Sequence, residues 1–326
     1  MNNSVPSNVH VLNSPRITAR NHIESLGSLV DTLPEYGEAP VMYEVAPADN
    51  AAHRTPGLTC SDTKRVIYNK INNQLINVVG SKYTLEYQPI ECVNTVEDML
   101  VNSGLDLTGI TRRYSESHDG GRYLTSYDLP AHAFDMGNGE ENIPQILHRN
   151  SYDGSWPFTI ETGVIRMACT NGQVLLDPLA IYTAKHTQSL NPVYGAAKIA
   201  RCISTLDKER ERWANWKLQS ISNIEAFKIF AKAAKFTVDP TLSLEEIFSS
   251  KTWLNGRTKD IKFLWNQYIN KEAPTLGSNE WAVYNAMTHW STHAEGNTEK
   301  SKTNIASTRI DRRDSIRKAC TLLKAA

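Results

Sequence analysis

The sequence predicts an α+β fold, with a central antiparallel β-sheet followed by a mostly helical C-terminal half. Three observations carry this expectation. From Leu105 to Leu176 the apolar residues recur with a period of two between turn signals. Two Asx-Gly pairs, Asp153-Gly154 and Asn171-Gly172, bracket a stretch rich in Ile, Phe, Thr and Val. Asp, Asn and Gly tolerate positive φ, so both pairs read as tight turns. After Pro192 the period becomes helical and N-cap residues recur at intervals.

The polar lead-in, residues 1–40, carries Pro6, Pro15 and Pro34 and reads as an N-terminal arm. The sheet core with two helices is expected over 41–180, and a helical region with a basic last helix over 181–326. Within the core, residues 41–45 read as a short strand. Ser61 caps a helix expected from about 62 to 79, with Ile67, Ile71, Leu75 and Val78 at helical spacing and Gly80 as the stop. Residues 83–87 alternate as a strand does. Asn94 with Glu97 resembles a capping box for a short helix that ends at Gly104.

Residues 107–114 and 122–127 read as a hairpin closed by His118-Asp119-Gly120-Gly121. Residues 137–139 read as a loop. Strands are expected at 144–149, 156–160, 164–169 and 174–176. A helix is expected from 194 to about 218, with the charged run 207–212 outside and opposite charges at helical spacing. Ser222 with Glu225 caps the next helix, through Lys235, and Ser243, Thr258 and Ser278 start three more. The last helix, from about 306 to 323, turns Ile310, Ile316, Cys320 and Leu323 inward. Its outer face is expected to carry Arg312, Arg313, Arg317 and Lys318. Residues 295–307 read as a polar linker.

The chain has 326 residues, with 35 Lys+Arg against 35 Asp+Glu. The charge is unevenly spread: −7 over 1–150, +1 over 151–250 and +6 over 251–326. A chain-wide basic footprint is absent, and the bland reading of this asymmetry is solvated surface. Five scattered cysteines suit free thiols in a reducing cytoplasm. No apolar run approaches the length of a membrane span, and the N-terminus lacks the apolar core of a secretory signal.

Several residue sets have the right chemistry for a site. Arg112, Arg113, Tyr114, Arg122, Tyr123 and Tyr127 interleave cations and rings on one hairpin, a composition that suits single-stranded nucleic acid and equally a solvated antiparallel edge. Arg166 and the C-terminal Arg309, Arg312, Arg313 and Lys318 add positive charge. Asp119, Asp128, Asp135 and Asp153 supply carboxylates for a Mg²⁺-dependent nuclease if they converge. Turn formation is the simpler role for the two that precede Gly. Cys169, with His148 or His186, fits a buried small side chain better than a nucleophile. His289 and His293 stand at i and i+4 without an intervening Glu, so the zinc-protease pattern is missing. The helical-half tryptophans are explained by packing. No phosphate-loop lysine or dinucleotide glycine fingerprint appears, and no cofactor or metal is expected.

The run Asn150-Ser151-Tyr152-Asp153-Gly154, followed by Gly163 to Gly172 with Arg166, Cys169, Asn171 and Gly172, resembles the phage/plasmid-like family known as domain of unknown function nine-three-two. The family usually has His where Tyr152 stands, which weakens a catalytic role at that position. His186 resembles the family's strand-end His. Trp281 to Asn285 and the Thr308-Arg309-Ile310-Asp311 run resemble its later elements, so the likeness covers roughly 40–325. The resemblance implies a setting in phages and conjugative plasmids, near genes for single-strand binding and recombination. The resulting expectation is a non-enzymatic protein of the bacterial cytoplasm. It binds single-stranded DNA and promotes annealing as a homo-oligomer. Arg112, Arg113, Arg122 and Arg166 would hold phosphates, and Tyr114, Tyr123 and Tyr127 would stack on bases. The alternatives are an interaction protein that inhibits a host defence or replication factor, and a metal-dependent nuclease.

Overall fold

The computed structural model describes residues 15–30, 32–45, 57–83, 85, 87–136, 139, 141–167, 171–176, 181–184, 205–255 and 258–323. Antiparallel sheets occupy the N-terminal and central parts, and the C-terminal half is mostly helical. A three-stranded sheet is formed by β1 (Tyr36–Val45), β2 (Gly57–Asn69) and β3 (Leu75–Gly80). The central sheet contains β4 (Thr111–Ser117), β5 (Arg122–Asp128), β6 (Phe134–Asp135), β7 (Glu141–Ser151), β8 (Phe158–Arg166), β9 (Asn171–Val174) and β10 (Ile181–Ala184). Its main order is β10-β8-β7-β5-β4, which puts β4 at an edge; β6 pairs with β7 and β9 with β8.

Two helices belong to the N-terminal part, α1 (Pro15–Glu24) and α2 (Pro89–Asn102). The C-terminal half contains α3 (Leu206–Leu218), α4 (Asn223–Ala233), α5 (Leu244–Ser249), α6 (Lys251–Asn255) and α7 (Lys259–Gln267). After a π-helical turn at Tyr268–Glu272 come α8 (Ala273–Leu276), α9 (Glu280–His293), α10 (Glu299–Thr303) and α11 (Ile305–Ala319).

The residues expected at 62–79 as one helix are the β2–β3 hairpin. Its turn is closed by Asn69 N–H donating to the Gln74 carbonyl at 2.9 Å, with Asn73 at φ 57°. The helical spacing was fortuitous. Ile71 and Leu75 are 73% and 58% exposed, so no apolar face of a helix is buried there. The β-branched Val66, Ile67, Ile76, Val78 and Val79 favour the pleated surface. Helix α2 begins at Pro89, before the expected Asn94. Glu91 reaches back to accept from Gln88 N–H at 2.7 Å, which satisfies a donor at the helix start. Tyr83, Leu85 and Tyr87 lie outside any strand.

The hairpin at 118–121 forms as expected: His118 and Asp119 both take φ 56° and Gly120 takes φ 85°. A single strand, β8, stands where two were expected at 156–160 and 164–169. The capping box at Ser222 and the starts at Ser243 and Thr258 form as read, the Ser243 start being a capping box as well, while the start expected at Ser278 falls at Asn279. The expected helix at 194–218 is described only from Leu206; its earlier part and Gly137 lie outside the described residues. On that helix Glu209 is buried, against the expectation of an outward charged run. It accepts from Leu176 N–H at 3.0 Å and pairs with Arg212.

Strand alternation divides the central sheet into two faces. Tyr123, Tyr127, Ile146, Phe158 and Ile160 point to a core shared with α2 and the three-stranded sheet. A second core gathers Trp213, Trp216, Phe227, Phe230, Trp281 and Tyr284, and Val164 and Leu175 carry the sheet into it. Register on the opposite face of the sheet places Arg113, Ser126, Leu147 and Glu161 in one cross-strand row.

Glu161 continues that row towards Ile181 of the edge strand β10, is 1% exposed, and anchors α11. Arg313 Nε donates to its Oε1 at 3.1 Å and Arg317 Nη2 to its Oε2 at 2.8 Å. Arg317 also pairs with Asp314 at 2.8 Å, and Arg149 of β7 reaches Asp314 at 3.3 Å. Burial alone would raise the Glu161 carboxyl. Arg317, Arg313 and Arg149 outweigh it and hold the group down to about 2. A carboxylate with a depressed folded pKa contributes stability that is present above its ordinary value of 4.5. That contribution is lost as pH falls towards 2. Breaking one partner of a buried pair costs about 3–5 kcal/mol. We therefore expect Glu161→Gln to lower the unfolding free energy by about that amount at neutral pH. The variant should also lose less stability than the parent between pH 4.5 and 2. Chemical denaturation across pH checks both, and parallel acid profiles would contradict the role given to Glu161.

Candidate binding groove on the central sheet

The hairpin residues expected to share one exposed surface are split by the pleat. Arg112, Tyr114, Tyr123 and Tyr127 do lie on one side, but that side is the inner one. Tyr123 and Tyr127 are fully buried, so neither ring can meet a base. The Arg112 side chain is buried and pairs with Glu97 at 2.5 Å, and Glu97 also accepts from the Tyr127 hydroxyl at 3.1 Å. Arg122 is tied to Asp153 at 2.5 Å and lies over the Trp156 ring at 5.6 Å.

Arg166 is buried as well, donating to Asn285 Oδ1 at 3.1 Å with Glu272 at 3.7 Å. Arg312 and Arg313 are also buried, against the expected outer face of α11. Arg312 lies over Trp290 at 5.0 Å and reaches Asp260 at 3.0 Å. The inward residues Ile310, Ile316, Cys320 and Leu323 fall where expected.

The outer face of the same hairpin opens on a groove of about 580 Å³ between β4, the sheet and α11. Leu124, Ile143, Leu147 and Ile165 form its aliphatic floor. Arg113, from the edge strand, and Arg309, from the first turns of α11, line it together. Arg313 also lines it, and Tyr114 borders it although its ring packs on the inner face, 6.2 Å from the Tyr123 ring. Arg113 has 58% of its side chain exposed, and Arg309 is exposed with no ion pair among the described residues. Burial lowers the Arg309 guanidinium from its usual range, without removing its charge at neutral pH. Lys318 is exposed on the same helix, about two and a half turns further along, and does not line the groove.

The residues that carried the family likeness are structural joints. Asn150 is buried, and its Oδ1 accepts from Ser151 N–H at 2.9 Å. Tyr152, in the place of the family's His, is buried and donates to the Tyr87 carbonyl at 2.6 Å. Asp153 accepts from Ser155 N–H at 2.9 Å and Gly154 takes φ 75°, so this Asp-Gly pair makes its turn. The second pair does not. Asn171 and Gly172 lie in β9, opposite Arg166 and Ile165. Gly172 N–H donates to Thr292 Oγ1 at 3.0 Å, and its carbonyl accepts from Arg313 at 3.3 Å. A Cβ at Gly163 would stand 3.0 Å from Arg313 Nη2, and one at Gly172 would stand 3.2 Å from Nη1. Both glycines are spaces cleared for the Arg313 guanidinium. Cys169 and His186 lie outside the described residues.

Asn171 Oδ1 faces His289 Nδ1 at 3.1 Å. Burial, helped by His293 with its ring 4.5 Å away, pushes the His289 imidazole down to about 4. His148 is packed between Tyr123 and Phe158. Asp119 and Asp153 share a cleft at the hairpin turn. Asp128 lines the groove, and Asp135 accepts from Gly139 N–H. Among the described residues no group of three or more His, Cys, Asp or Glu is arranged to hold a metal ion. No helix of the described residues is long and apolar enough to cross a membrane.

Arg113 and Arg309 were both sequence candidates, but that these two line one groove was not legible because they lie on separate elements. The only available signal was the alternation that sets Arg113 on the face opposite Arg112.

The family described as Domain of unknown function (DUF932) matches residues 75–319, three-quarters of the chain, and the protein belongs to it. No curated protein and no solved structure matches the chain.

If the glycines serve Arg313, added bulk must displace it. We expect Gly163→Ala to destabilise the fold by about 1–3 kcal/mol, the usual cost of overpacking. Combining Gly163→Ala with Arg313→Ala should cost less than the sum of the two. Urea denaturation of the four proteins measures this, and strict additivity would break the proposed link.

Proposed function

We propose that this member of the family binds single-stranded DNA in the groove between β4 and α11. The observation that carries the reading is the convergence of Arg113 and Arg309 over one aliphatic floor. Guanidinium groups suit phosphate because their planar donors match its oxygens. An aliphatic floor suits the faces of unpaired bases, which a duplex keeps stacked inside. The groove volume falls in the range of small-ligand sites, with room for a short piece of one strand.

Contacts of this kind give binding without sequence preference and with strong dependence on salt. The buried arginines contribute by holding the groove's walls. Arg313 and Arg317 keep α11 on the sheet, and Arg309 projects from that same helix.

Fluorescence anisotropy with a labelled twenty-nucleotide oligo(dT) over a series of NaCl concentrations tests the reading. We expect wild-type affinity to fall as salt rises. Arg309→Ala should lower it about three- to ten-fold and flatten the logarithmic salt slope by about 0.7, the loss of one phosphate contact to a single strand. Unchanged affinity and slope in Arg309→Ala would remove the groove from consideration.

A further inference from the structure

We infer that Asp128 is a built-in competitor of the polynucleotide, holding Arg113 until a phosphate displaces it. The inference rests on the groove being the strand-binding site. Asp128 and Arg113 lie on adjacent strands of the groove face and form a two-pronged pair, with Nη1–Oδ2 at 2.8 Å and Nη2–Oδ1 at 2.9 Å. The two sides of this pair are unequal. Asp128 is only 13% exposed and is fixed by two further donors, Gln145 Nε2 at 2.7 Å and Thr111 Oγ1 at 3.2 Å. Arg113 stands on an edge strand, and most of its side chain is in water. The carboxylate therefore stays when the guanidinium leaves.

The consequence is electrostatic. Arg113 and Asp128 cancel, so among the described residues lining the groove an arriving strand meets one guanidinium without an ion pair, that of Arg309. Using Arg113 as well requires breaking its pair and leaves a carboxylate facing the phosphates. A phosphate recovers much of the lost interaction because it offers Arg113 the same two-oxygen geometry. The groove consequently holds a strand loosely and releases it readily.

Neutralising Asp128 without changing its shape should expose the second cation. In the oligo(dT) titration, Asp128→Asn should bind about two- to five-fold more tightly, the scale of one exposed ion pair. Its salt slope should steepen by about 0.7, as one more phosphate contact forms. In an Arg113→Ala background, the same substitution should leave the salt slope unchanged and bring only the smaller gain of removing one carboxylate's repulsion. Asp128→Ser is the second variant if the amide disturbs Gln145, and circular dichroism melting confirms that each variant is folded. A merely structural Asp128 would not move the salt slope.

If Arg309→Ala weakens binding while both Asp128 variants leave affinity and slope unchanged, the competitor role is overturned and the groove stands. If the steeper salt slope persists without Arg113, the role is likewise overturned. If no variant changes binding, the groove reading fails and this inference fails with it.

Discussion

The structure depends on a single buried carboxylate. Glu161 sits in a cross-strand row on the sheet face that meets α11, and Arg313 and Arg317 of that helix both reach it. Burying a carboxylate is costly, and the cost is offset only while its partners stay in place. The helix therefore cannot slide by a turn without stranding the charge, and the network fixes its register on the sheet. Asp314 and Arg149 extend the network to β7. Gly163 and Gly172 leave the space that the Arg313 guanidinium fills, and Gly172 joins α9 through Thr292. The groove results from this docking. Its floor belongs to the sheet, one wall is the edge strand, and the other is the start of the docked helix.

Charge of this kind has two roles in the molecule. Arg166, Arg312 and Arg313 are joints, each committed to carbonyls or acids from distant parts of the chain. Arg309, one turn before Arg313 on the same helix, is turned outward and has no acid partner among the described residues. Arg113 lies between these cases, exposed but paired. The division explains how several arginines gather near one site while, of these, Arg309 alone lacks an ion pair among the described residues. Most of that charge is spent on holding elements together.

What could be read from the sequence was local. The β4–β5 hairpin was legible because alternation and a His-Asp-Gly-Gly turn act over a few residues. The Ser222 and Ser243 caps were legible for the same reason, since each box closes within one turn. The Glu and Arg partners were not. Arg313 meets an acid 152 positions earlier in the chain, and no periodicity reports such a pairing. An arginine-rich helix face therefore looked solvated when two of its guanidiniums were buried. Asn171-Gly172 was read as a turn because the dipeptide favours one, yet tertiary contact with Arg313 and Thr292 holds it in a strand. The β2–β3 hairpin was misread because four apolar residues happened to fall at helical spacing. Which face of the β4–β5 hairpin was buried depended on α2, whose packing the hairpin's own sequence does not encode.

Hydrogen exchange read by mass spectrometry tests the central dependence most directly. Between the wild type and Glu161→Gln at neutral pH, amides of Ile305–Ala319 are expected to lose protection by the largest factor, while those of β5 and β7 keep most of theirs. Equal loss of protection across the sheet and the helix, or none in either, would contradict the claim that this carboxylate docks the helix and shapes the groove.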